Sequence, residues 1–113
     1  MQASIAKGEW DPDSCKWTDV TPWAAVGGPV GPDGMTVDAA GNVCVAVLGE
    51  SAMKTVDPSG AVVDVYELRG ANPTNVTFDP SGELDGVVTE VESGEMVSIP
   101  ELSAGWEGIP YFG

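Results

Sequence analysis

The chain has 113 residues, four Lys and Arg against eighteen Asp and Glu, and a formal net charge of −14. A field of that sign repels phosphate, which excludes nucleic acid and anionic membrane surfaces as partners, and it attracts cations such as Ca²⁺ as readily as it serves plain solubility. A hydrophobic share of 42% excludes a disordered chain, while fifteen Gly and nine Pro exclude long helices.

Residues 1–20 stand apart as an N-terminal extension. Met1 to Trp10 hold no apolar run of the signal-peptide kind, and no stretch reaches the length of a membrane span, so a cytoplasmic location is expected. Trp10-Asp11-Pro12-Asp13-Ser14 and Trp17 give no clear periodicity. Thr21 to Val26 reads as a strand, followed by a Gly27-Gly28-Pro29 linker.

From Gly31 onward, short β-prone runs alternate with turn signals. Met35 to Asp38 ends at Gly41-Asn42, and Val43 to Leu48 breaks at Gly49-Glu50-Ser51. Met53 to Val56 is closed by Asp57-Pro58-Ser59-Gly60, and Val62 to Leu68 by Asn72-Pro73. Asn75 to Phe78, Leu84 to Val91 and Met96 to Ile99 complete the series. In each Asp-x-x-Gly the aspartate caps a tight turn and the glycine takes a positive φ. Cys44 lies in an alternating apolar run where a buried thiol is expected, and two cysteines make no disulfide framework.

A repeat chooses among the all-β architectures. Asp38 and Asp79 open matching turns 41 positions apart, and the same shift lays Pro32-Asp33-Gly34 on Pro73-Thr74-Asn75. That period suits a four-stranded propeller blade. The expected fold is therefore all-β: two four-stranded β-propeller blades over residues 21–102, with a C-terminal tail at 103–113. Val37, Val43, Val45, Val56, Val76 and Phe78 are expected in the core, and Trp106, Tyr111 and Phe112 of the tail are expected to pack.

Several motifs in order then resemble one family. Gly31-Pro32-Asp33-Gly34-Met35-Thr36-Val37-Asp38 runs into Gly41-Asn42, then Val45-Ala46 and Val56-Asp57-Pro58-Ser59-Gly60. Pro73-Thr74-Asn75-Val76-Thr77-Phe78 and Val88-Thr89-Glu90 follow. Residues 24–102 thereby resemble the late blades of the gluconolactonase (regucalcin-like) family, six-bladed propellers much longer than this chain. The resemblance implies a divalent metal, calcium for preference, and a sugar-lactone hydrolase. It makes Asp33 both metal ligand and general base, and the repeat register, which lays Thr74 on Asp33, makes Thr74 and Asn75 candidates for facing the central channel.

A hard cation takes oxygen ligands, and a carboxylate can take the proton of attacking water. The family's other ligands, a glutamate and an asparagine, belong to blades outside this sequence. Pro-Asp-Gly is also an ordinary turn signature, as Thr-Asn can be a cap. Two blades alone leave sheet faces and edges open. Self-association is thus expected, as a dimer or as a three-fold ring that rebuilds six blades, with a small lactone or sugar as ligand. The competing expectation is a non-catalytic, self-associating propeller fragment or a small binding module.

Overall fold

A computed structural model describes residues 3–81, 83–100 and 102; the tail residues Trp106, Tyr111 and Phe112 lie outside them. Nine strands run in chain order: β1 (Ser4–Asp11), β2 (Lys16–Ala25), β3 (Gly31–Val37), β4 (Val43–Leu48), β5 (Ala52–Val56), β6 (Val62–Glu67), β7 (Pro73–Phe78), β8 (Gly86–Glu90) and β9 (Glu95–Ile99). They form three antiparallel meanders, β1-β2, β3-β4-β5-β6 and β7-β8-β9. No helix among the described residues is long and apolar enough to cross a membrane.

The turns form where the aspartates predict them. Asp38 accepts hydrogen bonds from the amides of Ala40 and Asn42, Asp57 from those of Ser59 and Ala61, and Asp79 from those of Ser81 and Leu84. Gly41 and Gly60 follow in the left-handed region at φ 85° and 90°. Each carboxylate thus satisfies amides that a short turn leaves without strand partners.

The four-stranded sheet is the middle layer. Its central strand β4 is apolar throughout and buried on both faces. Val45 and Val47 join Ile5, Ala24, Val26 and Val56 in one core, against the β1-β2 hairpin. Cys44 points the other way and joins Met53, Leu68, Val76, Val88 and Ile99 in a second core, against β7-β8-β9. A strand covered on both faces needs no polar side, so the run around Cys44, read as alternating, is apolar at every position. Lys54 fastens the first core at its rim: its Nζ lies 2.7 Å from a Glu50 carboxylate oxygen and donates to the Val26 carbonyl at 2.5 Å.

Two expectations are corrected and one is extended. Residues 4–20, read as an extension without periodicity, supply β1 and most of β2; only Ile5 of β1 is buried, so the strand carries no alternation to read. Thr21 to Ala25, read as a strand, is one: it forms the end of β2 and pairs with β1, and Val26 follows it. Val37 is 40% exposed instead of buried, because nothing among the described residues covers that end of β3. Val45, Val56 and Val76 are buried, while Val43 and Phe78 are half-buried against the two cores. The second blade shows three strands among the described residues, against four in the first.

Candidate functional site

The first strands of the two larger meanders, β3 and β7, lie side by side. Each carries a β-bulge at the same place in the repeat. The β3–β4 register slips between Pro32 and Met35, and the β7–β8 register slips between Pro73 and Asn75. A bulge breaks the ladder and re-aims one side chain, and such bulges gather beside binding and catalytic sites. In β3 the segment released in this way is Asp33-Gly34; in β7 it is Thr74.

Gly34 sits directly on β7. A Cβ there would lie 2.1 Å from the Asn75 Oδ1 and 2.7 Å from the Asn75 Cα. Only a residue without a side chain lets the two strands approach so closely. This contact puts Asn75 next to the Asp33-Gly34 bulge. Asp33 itself is exposed. The Asn75 side chain accepts the Val76 amide at 2.9 Å, and the Thr74 hydroxyl lies 2.8 Å from that of Thr89 on β8. The fold therefore gathers Asp33 and Asn75 at one seam and turns Thr74 aside, toward its own blade.

Calcium takes six to eight oxygens, so Asp33 is the right kind of donor but far short of a full set. Among the described residues, no three His, Cys, Asp or Glu side chains converge to hold a metal ion. The residues present do not by themselves fit a calcium site.

One charged group escaped the sequence reading. Glu90, at the end of β8, is 2% exposed. The Ser93 hydroxyl and the amides of Ser93, Glu92 and Asn72 all donate to its carboxylate. The Ser93 hydroxyl first, then these amides, hold its pKa down to about 2 against the cost of burial. Gly70 packs on the same carboxylate, where any Cβ would collide. Glu90 thus ties the β8–β9 turn to the Gly70–Asn72 loop that leads into β7. An acid closing a β-run, with Ser three residues on, was the available signal.

Because the folded pKa is lowered, the stabilisation is present above the unfolded value near 4.5 and is lost as pH falls toward 2. Glu90→Gln keeps the shape but turns an amide NH₂ toward amide donors. The gap in denaturant midpoint between the native chain and Glu90→Gln is expected to be full at pH 7 and to shrink steadily between pH about 4.5 and 2. An equal gap at pH 7 and pH 3 would rule out the charge as its source.

A family model for the SMP-30/gluconolactonase/LRE-like region matches residues 1–89. The fold is similar to that of a luciferin-regenerating enzyme, with a TM-score of 0.70 at 21% identity over 79% of this chain. The match spans only 31% of that enzyme's chain. No curated protein sequence matches. With antiparallel blades in place and most of its length matched by the family model, this chain belongs to the SMP-30/gluconolactonase/LRE-like family.

Proposed function

We propose that this chain is a gluconolactonase-like propeller segment that contributes Asp33 to a sugar-lactone hydrolase site. The observation that carries the reading is the bulge that frees Asp33 on β3, beside the first strand of the next blade. As general base, the Asp33 carboxylate takes a proton from a water whose oxygen attacks the lactone carbonyl carbon. The ring C–O bond breaks, and the proton passes to the departing ring oxygen, giving a hydroxy acid. The divalent cofactor the reading calls for, calcium for preference, would need Asp33 together with oxygen donors outside this chain to hold it. A cytoplasmic location belongs to the same reading.

The test is acid release from a sugar lactone with calcium present. The chain alone is expected to turn over slowly at best, and Asp33→Asn is expected to lower any rate by about 100-fold or more, since an amide cannot act as base. A full rate in Asp33→Asn overturns the assignment. A second reading, a non-catalytic self-associating module, is favoured by one observation. An apolar cavity of about 470 Å³ opens between the N-terminal hairpin and β3, away from the Asp33 seam.

A further inference from the structure

The two blades are not equally covered. A shift of 41 positions carries Met35 and Val37 of β3 onto Val76 and Phe78 of β7. Val76 is buried and Phe78 packs on the same core, because β3 and β4 lie across β7. Met35 and Val37 are instead 44% and 40% exposed. On their side, Ala3, just before the hairpin, crowds Gly31 at the start of β3. Beyond that point lies the apolar groove, lined by Ile5, Trp17, Trp23, Met35, Val37 and Val43 among others. No carboxylate among the described residues lines it, so a second copy of this acidic chain meets no like charge there.

Among the described residues, the other end of the molecule is short of a strand. β7-β8-β9 has three strands, and β9 pairs with β8 alone among the described residues. Open strand edges of this kind are templates for further pairing. Among the described residues, β2 to β9 are the number that two four-stranded blades require, and β1 is left over. It is also the weakly held one: only Ile5 is buried, and its ladder with β2 slips register twice.

The geometry points to head-to-tail association by strand exchange between copies of this chain. The β7-β8-β9 sheet of a second copy enters the groove, its β9 takes the place of β1 beside β2, and β2 becomes that sheet's fourth strand. The incoming β7 and β8 cover Met35 and Val37 as β3 and β4 cover Val76 and Phe78. The β1–β2 ladder is lost and a β9–β2 ladder replaces it, so the exchange costs little pairing. A contact of this head-to-tail kind closes into a ring when its rotation allows. None of this depends on a role for Asp33.

The experiment is light scattering from micromolar to near-millimolar concentration on the native chain and on Val37→Asp. Val37 is exposed in the single chain, so the substitution leaves that fold standing, but in the assembly it buries an unpaired charge. The native chain is expected at a multiple of 11.6 kDa. Val37→Asp is expected to weaken association by about 100-fold or more. Hydrogen exchange identifies the exchanged strands: in the assembly the β9 amides become protected and the β1 amides exchange freely. A native mass of 11.6 kDa throughout, undiminished association of Val37→Asp, or protection of β1 with β9 left open would each overturn the proposal. Because mass and exchange are read, failure here is distinct from failure of the lactone assay.

Discussion

Met53→Ala is expected to destabilise the chain by about 2–5 kcal/mol, the largest effect of any single truncation in this fold. Met53 is 1% exposed and stands on β5 in the core shared by Cys44, Leu68, Val76, Val88 and Ile99. It therefore supports both blades at once, and strands on either side must shift to fill the space it leaves. A small domain has only about 5–15 kcal/mol to lose. Urea or thermal denaturation gives the figure directly, with Met96→Ala as the comparison, since Met96 is 75% exposed. Equal losses at the two methionines would show that the layer between the blades does not hold them together.

Gly34→Ala is expected to cost about 1–3 kcal/mol by overpacking and to separate β3 from β7. The Asn75 side chain can swing away from a new Cβ, but the Asn75 Cα, 2.7 Å from it, cannot. Asn75→Ala should therefore fail to rescue Gly34→Ala, and denaturation of the single and double variants checks this. Full rescue would mean that only a flexible side chain fills the seam. Since Asp33 adjoins Gly34, the same substitution should disturb any activity that depends on Asp33 without altering a reacting group.

From β3 onward the strands were legible because each turn announces itself chemically. The aspartates at 38, 57 and 79 cap the turns, and Gly41 and Gly60 take the left-handed conformation that follows. Of the first hairpin, only the Thr21–Val26 end was legible. The rest carries neither an apolar run nor an alternation, because β1 and β2 are exposed along almost all of both faces. Val37 looked like core for a sound local reason, its alternation with Met35, but burial depends on a neighbouring layer that no local pattern reports. Asp33 was legible as a motif; its bulge was not, because register is a property of two strands together. Glu90 was missed because a buried acid is betrayed by the amides that surround it, and those come from Asn72 as well as from its own turn.

The doubly covered strand β4 has a consequence for how the chain reaches this state. Val43-Cys44-Val45-Ala46-Val47-Leu48 is six residues without charge or proline and rich in β-branched side chains, the composition that stacks into fibrils when left exposed. Before folding nothing shields it. Its pairing partners, however, are the next strands along the chain, β3 across the Asp38–Asn42 turn and β5 across Gly49–Ser51. Closing loops this short takes far less time than finding another molecule. The net charge of −14 keeps neighbouring chains apart meanwhile. The meander thus protects its most adhesive segment kinetically, by giving it the nearest partners first.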